Sequence, residues 1–274
     1  MERYNPLNDY LFQKVMGEKG DEEQLLAFLN AVLKRTQANP LTSVEILENK
    51  TITADVLGDR TIILDVRAIT SADERVNIEV QLKDLHNMNK RTLFYWSREF
   101  MKSIVSGDDY NILPKVITIN IVNFGYIDID DYHTCFHLRE DNHRDYVLTD
   151  VMEVHFVDMV KFRREKNKDI VHNDLERWLT FLDQETPQEI FEEVINMDGA
   201  IQKAATKMDF VTSDKDFYHE YTLRLMALSD KTTEINTAVE KRDIEIARNL
   251  LNSGSSVEFV QQITGLSIDM IKKI

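Results

Sequence analysis

Residues 75–83 read RVNIEVQLK, a stretch with a clear β-strand pattern. Apolar and polar residues alternate along it with a period of two, which predicts a β-strand with one buried face. The polar side of the strand carries Arg75, Asn77, Glu79, Gln81 and Lys83. Most alternating strands simply expose their polar side to water, so the pattern alone leaves open whether this row is a wet surface or a site.

The preceding β-rich stretch, TIILDVRAIT at 61–70, is separated from this strand by SADE at 71–74. A polar turn between two such runs predicts a hairpin. Asp65 in the first strand stands beside Glu79 in the second only if the loop has an odd number of residues or contains a bulge. SADE permits such a loop, so the two carboxylates are allowed, but not forced, to converge.

The rest of the chain predicts an α/β fold. Apolar residues at helical spacing predict two N-terminal helices separated near residues 17–20, and another helix at 87–105. LPKVITINIVNF at 113–124 is a nearly continuous apolar run, typical of a strand covered on both faces. The weaker strand signals HTCFHL and MEVHFVDMVKF follow, and the chain after Asp169 predicts helices.

The composition indicates a globular protein, which we expect in the cytoplasm. No apolar run approaches the ~18 residues that cross a bilayer, and the single cysteine, Cys135, cannot form an internal disulfide. The formal net charge of −15 disfavours a nucleic-acid partner, because such proteins normally present a basic footprint. A bound divalent cation, however, inverts the local charge of a carboxylate site.

Several segments together resemble a known family. Asp65 in ILDV, Glu79 and Gln81 in IEVQ, and the following KRTLFYWS resemble the PD-(D/E)XK nuclease superfamily. More narrowly, the chain resembles the bacterial recombination-promoting nuclease or transposase family, whose last motif is commonly E-x-Q. The segments NDYLFQKVMG, SGDDYNILPKVITINIVNF and ARNLLNSGSSVEFVQQITGLSIDMI are also similar to that family, so the resemblance covers most of the chain.

The resemblance implies a restriction-endonuclease-like α/β core, a central mixed β-sheet flanked by helices, with a C-terminal helical extension. It implies that Asp65 and Glu79 bind Mg²⁺ or Mn²⁺, with Asp9 either as a further acidic ligand or as a charge at a helix N-terminus. Gln81 occupies the place where the superfamily usually has lysine, and an amide brings no positive charge to the transition state. Lys83, further along the strand, could supply that charge.

The helix predicted at 87–105 carries a basic stripe. Arg91, Tyr95, Arg98 and Lys102 recur at helical spacing, and we expect them to hold a DNA strand. The side predicted to face the core carries Phe94, Met101 and Val105. Residues 75–105 contain six basic side chains against three acidic ones, a local reversal of the overall sign. The alternative is an ordinary solvated helix face.

We expect residues 1–168 to form the nuclease-like core, 169–240 a helical extension packed on it, and 241–274 a C-terminal helical tail. The tail predicts a helix, a turn and a second helix capped by Ser267, a spacing that resembles a helix-turn-helix. Its second helix is short and weakly basic. We therefore favour a packing or self-association element, through which the chain could form a homo-oligomer, over a DNA reader.

His133, Cys135 and His137 would share one face of a strand, where a soft metal could use them. We expect no metal there, because zinc needs a fourth ligand or an arranged water and nothing nearby in the sequence supplies one.

Together with the resemblance, these features predict a metal-dependent DNA endonuclease that hydrolyses phosphodiester bonds, and the resemblance implies a role in recombination or transposition. The alternative is a non-catalytic DNA-binding or protein-interaction protein that retains the nuclease fold, which Gln81 and the acidic charge both favour. An RNA-directed nuclease is a third reading, and no membrane partner is expected.

Overall fold

A mixed β-sheet lies at the centre of the first part of the chain in this computed structural model, which describes residues 3–47, 66–84, 86–104, 107 and 109–274. Its strands are β1 (Val44–Ile46), β2 (Val66–Thr70), β3 (Arg75–Gln81), β4 (Val116–Val122), β5 (His133–Arg139) and β6 (Val147–Asp158). They lie in the order β1-β2-β3-β4-β6-β5. The pairs β3–β4 and β4–β6 are parallel and the others antiparallel, which confirms the predicted mixed sheet.

The hairpin predicted around SADE is confirmed by the pairing of β2 with β3. The amide of Thr70 donates to the carbonyl of Glu74 over 2.9 Å, which leaves residues 71–73 as a loop of odd length. Asp73 in this loop has a φ of 58°, a left-handed conformation that aspartate tolerates better than most residues.

The register of the hairpin decides which side chains share a face. Arg67 pairs with Asn77, and alternate residues of a strand point the same way, so Arg67, Asn77 and Glu79 lie on one face of the sheet. Asp65, the predicted partner of Glu79, lies outside the described residues.

Helices flank the sheet. The flanking helices belong to the first part of the chain. All the described helices are α1 (Asp9–Met16), α2 (Glu22–Leu33), α3 (Met88–Met101), α4 (Met159–Arg164), α5 (Asp174–Leu182), α6 (Gln188–Met197), α7 (Gly199–Thr212), α8 (Lys215–Asn252), α9 (Val257–Thr264) and α10 (Ile268–Ile271). The two predicted N-terminal helices are confirmed as α1 and α2. Asn8 caps α1 by accepting from the amides of Tyr10 and Leu11. None of the described helices is both long and apolar enough to span a bilayer.

The two faces of the sheet differ in chemistry. We call the face that carries Glu79 the α3 face, because α3 contacts β3 and β4 there. We call the other the α2 face, because Thr36, just after α2, donates to Glu153 on it over 2.7 Å. In β2, β3 and β4 the α2 face is formed by the buried side chains of Val66, Ala68, Val76, Ile78, Val80, Ile117, Ile119 and Ile121. Burial of this aliphatic surface is the main driving force for packing helices on the sheet.

An aromatic cluster joins the helices to one another. The rings of Phe12 and Phe28 meet edge to face at 6.3 Å, and those of Phe28 and Trp178 at 5.7 Å, which connects α1, α2 and α5. All three side chains are fully buried. Such edge-to-face pairs add about 0.5–1.5 kcal/mol each beyond the burial of their area.

The strand signal in MEVHFVDMVKF is only partly confirmed. β6 ends at Asp158, and MVKF begins α4 instead of continuing the strand. The carboxylate of Asp158 accepts from the amide of Lys161 over 3.0 Å, an N-terminal cap that ends the strand and starts the helix.

The orientation predicted for the helix at 87–105 is wrong. The buried residues of α3 are Met88, Thr92, Tyr95 and Glu99. Phe94 is 40% exposed and Met101 72%, so the side predicted to face the core faces outward, while Val105 lies outside the described residues. The helix turns its polar side inward because the sheet face beneath it carries buried polar groups that need partners.

Two compact units divide the chain, Met1–Tyr218 and His219–Ile274. Helices α5, α6 and α7 belong to the first unit, and α8 crosses the boundary between the two. The division predicted at residues 168 and 240 stays a prediction.

The predicted helix, turn and helix of the tail are confirmed as α9 and α10. Gly265 ends α9 with a φ of 70°, a conformation that glycine adopts without strain, and Ser267 caps α10 by accepting from the amide of Met270. A small core holds these helices against the end of α8. Its buried members are Ala247, Val260, Leu266 and Ile271.

Two apolar side chains, one in strand β4 and one on helix α3, differ in burial in a way that can be measured. Ile119 in β4 is fully buried, so Ile119→Ala should lower the free energy of unfolding by about 2–5 kcal/mol in urea denaturation. Met101→Ala on α3 should change it by less than about 0.5 kcal/mol, because that side chain already faces water. A large loss for Met101→Ala would contradict the observed orientation of α3.

Candidate active site

A strip of buried polar side chains crosses the α3 face. Asn77 and Glu79 of β3 pair directly with Thr118 and Asn120 of β4, so these residues form a compact block on adjacent parallel strands. None of them is more than 2% exposed. We call these four residues the polar strip. A buried block of this kind is costly unless its members find partners, so it indicates a site rather than a packing surface.

Glu79 is the charged member of the polar strip. Its Oε1 forms an ion pair with the guanidinium of Arg91 on α3 and accepts from Nε2 of Gln81 over 3.4 Å. Burial raises the pKa of Glu79 to about 7, against the opposing attraction of Arg91. The carboxyl therefore changes charge near neutral pH, which suits a group that must exchange a proton or a cation for its present partner.

Several atoms of the polar strip have no hydrogen-bond partner among the described residues. They are Oε2 of Glu79, Oγ1 of Thr118, and both the Nδ2 and the Oδ1 of Asn77. More than nine-tenths of buried polar groups are normally satisfied, so these atoms indicate a place for water or a bound ion. Most of them are oxygens, the atoms that hard divalent cations prefer.

Helix α3 is attached to the polar strip by specific bonds. Thr92 donates from Oγ1 to Oδ1 of Asn120 over 3.1 Å, and Asn120 donates in turn to the carbonyl of His155 over 3.0 Å. The guanidinium of Arg91 lies 5.3 Å from the centre of the Tyr95 ring, within the range of a cation–π contact. The buried ring of Tyr95 therefore helps to hold the Arg91 guanidinium in place.

A second ionic cluster lies under the C-terminal half of α3. Glu99 is 2% exposed, and its carboxylate pairs with Arg67 of β2 at 2.6 Å and with Lys102 at 2.8 Å. Burial lowers the pKa of Lys102, against the opposing effect of Glu99. Part of the predicted basic surface is therefore neutralised by carboxylates within the protein.

The predicted site residues are brought together only in part. Glu79, Gln81 and Arg91 meet, whereas Lys83 lies beyond the end of β3 and is exposed. Asp9 is the first residue of α1, where its Oδ1 accepts from the amide of Tyr10 over 2.8 Å, and α1 contacts β3.

Sequence reasoning missed three contributors to this site. Thr118 and Asn120 stand two residues apart within an apolar run, and Thr92 lies on the helix side that was predicted to face away from the core. The alternation of two polar residues in VITINIV was the available signal, because it marks one face of the strand as polar.

The three central strands β3, β4 and β6 of the mixed sheet are parallel, helices flank the sheet, and the carboxylate of Glu79 is buried in β3. This is the arrangement of a restriction-endonuclease-like α/β protein. The family model described as "PD-(D/E)XK nuclease family transposase" matches residues 6–238. The chain therefore belongs to this nuclease family, as its motifs predicted. A second model, "Rpn/YhgA-like nuclease family, C-terminal HTH domain", matches residues 240–274. No curated protein and no solved structure matches the chain.

The raised pKa of Glu79 makes stability depend on pH. Because that pKa rises from an ordinary 4.5 to about 7, the folded protein holds the proton more tightly than the unfolded chain. The resulting stabilisation is complete below the unfolded pKa and is lost as the pH rises through the folded one. Between pH 5 and 8, the free energy of unfolding of the wild type should fall by about 2 kcal/mol relative to Glu79→Gln.

Urea denaturation of both proteins at the two pH values measures this change. Other titrating groups cancel in the comparison, because both proteins contain them. A difference between the two proteins that stays constant across this pH range would show that Glu79 titrates as an ordinary carboxylate.

Proposed function

We propose that this protein is a metal-dependent DNA endonuclease that hydrolyses phosphodiester bonds during recombination or transposition. The observation that carries the proposal is Glu79, a buried carboxylate in a central strand. One of its oxygens pairs with Arg91, and the other has no hydrogen-bond partner among the described residues. Membership of the PD-(D/E)XK nuclease family supports the same reading.

Glu79 and Asp65 are the proposed ligands of Mg²⁺ or Mn²⁺, with Asp9 as a further acidic candidate. The donors fit such an ion, which takes one or two carboxylates and completes its shell with water and phosphate oxygens. Val66, which follows Asp65 in the chain, pairs with Ile78, which precedes Glu79. A bound Mg²⁺ activates water and neutralises charge on the phosphate.

Gln81 and Arg91 are proposed to position the phosphate. Gln81 already donates toward Glu79, and its amide can orient a water or a phosphate oxygen. Arg91 brings the positive charge that the motif lacks, and its guanidinium can bind a phosphate with two parallel hydrogen bonds. We favour Arg91 over Lys83 for this role, because Arg91 touches Glu79 whereas Lys83 is exposed beyond the strand.

The strand-holding surface is proposed to include Arg91, Arg98 and Lys102, with Tyr95 supporting Arg91. Such contacts neutralise phosphates and position the nucleic acid without reading its sequence. The acidic overall charge opposes this binding at long range, so it depends on local contacts and on the bound cation.

The second candidate is a non-catalytic DNA-binding protein on the same fold. The match of residues 240–274 to a C-terminal HTH domain favours it, because a helix-turn-helix can supply DNA affinity whether or not the sheet is active. Gln81 in place of lysine points the same way. This candidate predicts DNA binding without any cleavage.

Nicking of supercoiled plasmid tests the catalytic proposal. With Mg²⁺ or Mn²⁺ the wild type should nick, and with EDTA it should not. Asp65→Ala and Glu79→Ala should each lower the rate by at least about 100-fold, since each removes a ligand of the ion. Met101→Ala, an exposed change on α3, serves as the matched control. Equal nicking by all of these proteins would exclude the proposed site.

Two variants test which basic side chain, Arg91 or Lys83, binds the phosphate. Arg91→Ala should lower the nicking rate by about 100-fold, the usual loss for one transition-state donor, whereas Lys83→Ala should change it little. The reverse ranking would transfer the role to Lys83. Thermal melting of both variants checks that the loss does not come from unfolding.

A further inference from the structure

A second cluster of ionisable side chains lies on the α2 face, where β5 and β6 pair. The atoms of Cys135, His137 and Glu153 converge there, with their potential ligand atoms all within 4.8 Å of one another. Sγ of Cys135 lies 3.9 Å from Nδ1 of His137, and Nε2 of that ring lies 3.1 Å from Oε2 of Glu153. The polar strip lies on the other face of the sheet, so the two clusters are separate.

The strand register builds this cluster. Cys135 pairs with His155 in the antiparallel β5–β6 ladder, and the register shifts just after Phe136. Cys135 and His137 lie two residues apart on the edge strand β5, and Glu153 approaches them from the neighbouring strand. Glu153, a residue distant in sequence, therefore takes the place predicted for His133, whose Nε2 lies 2.9 Å from Nδ1 of His155 instead. The fourth position is left to a water.

The spacing of these atoms suits a tetrahedral metal. Only one nitrogen of His137 can bind a given ion, and with one atom from each residue the three ligand atoms lie within 4.8 Å of one another. Bonds of about 2.0–2.3 Å to zinc place neighbouring ligand atoms roughly 3.3–3.7 Å apart, so a small closure of the side chains would bring them to bonding distance. A thiolate, an imidazole and a carboxylate are all ligands of zinc, which is softer than Mg²⁺ and accepts sulfur and nitrogen. The His137 side chain is 19% exposed, so a water has access to a fourth position.

The surroundings of Glu153 hold its carboxylate in place. Thr36 donates to Oε1 over 2.7 Å, and Nε2 of His155 lies 2.6 Å from the same oxygen. Outer hydrogen bonds of this kind fix the orientation of metal ligands. Lys115 pairs with Oε2 at 2.8 Å but also lies 3.6 Å from Glu74, a second carboxylate that can keep it paired if a cation takes that oxygen.

We propose that Cys135, His137 and Glu153 form a binding site for a zinc-like divalent cation, distinct from the proposed nuclease site. Such an ion would fasten the edge strand β5 to β6 and so stabilise the sheet. The site is independent of the cleavage chemistry.

Cobalt is the most direct probe, because Co²⁺ substitutes for Zn²⁺ and a cobalt–thiolate bond gives a charge-transfer absorption in the near ultraviolet. The chain has a single cysteine, so this band can come only from Cys135. The full-length protein, stripped with EDTA and titrated with Co²⁺, should develop the band at one equivalent, and Zn²⁺ should abolish it. A folded wild type that binds Co²⁺ without the band, or binds none, would overturn the proposal.

Matched variants separate this site from others. His137→Gln should weaken Zn²⁺ binding, measured by competition with a chromogenic chelator, by more than about 100-fold. His143→Gln, at an exposed histidine of the same hairpin, should leave it unchanged, as should Glu79→Gln on the α3 face. Zn²⁺ should raise the melting temperature of the wild type more than that of Cys135→Ser, which keeps only the carboxylates of the proposed nuclease site. Equal Zn²⁺ affinity in wild type and His137→Gln would refute the site.

Discussion

The ion pair between Glu79 and Arg91 is the interaction on which the arrangement of this protein depends. A buried carboxylate without a partner costs several kcal/mol, so whatever covers β3 must bring it a cation or a hydrogen-bond donor. Helix α3 does this with Arg91, and it adds Thr92 above Asn120. The need for a polar partner for Glu79 outweighs the apolar pattern of α3. Phe94 and Met101 therefore remain exposed, while Tyr95 and Glu99 are buried.

Because the buried polar groups of the sheet are collected on one side, its two faces contribute differently to stability. The α2 face of β2, β3 and β4 is aliphatic and supplies burial energy, whereas the α3 face holds polar groups that stabilise the fold little by themselves. Oε2 of Glu79 has no hydrogen-bond partner in the part of the chain that the structure describes, and the proposed ligand would act there. The pairing of Arg91 with Glu79 further means that a cation must compete with a resident guanidinium.

The net negative charge of the chain is compatible with the basic residues of α3, because some of these residues form ion pairs with carboxylates. Of the residues in the predicted basic stripe, Arg91 pairs with Glu79 and Lys102 with Glu99, so the local positive charge is partly neutralised inside the protein. If Arg91 separated from Glu79, its positive charge would again be available next to the polar strip. The tail matched by the HTH model has its own core around Val260 and Leu266.

Local sequence patterns were enough to predict the hairpin, the buried strand β4, the first two helices and the cap at Ser267, because each depends on local periodicity or turn chemistry. For the hairpin loop they allowed an odd number of residues without requiring it. The sequence also identified the family, through short motifs that are each continuous in sequence and together cover most of the chain. Only the tertiary structure decided which side of α3 faces inward, and that Glu153 joins Cys135 and His137. Both outcomes depend on residues in strands that are distant in sequence. A local pattern does not indicate which polar group will need a hydrogen-bond or ionic partner once it is buried.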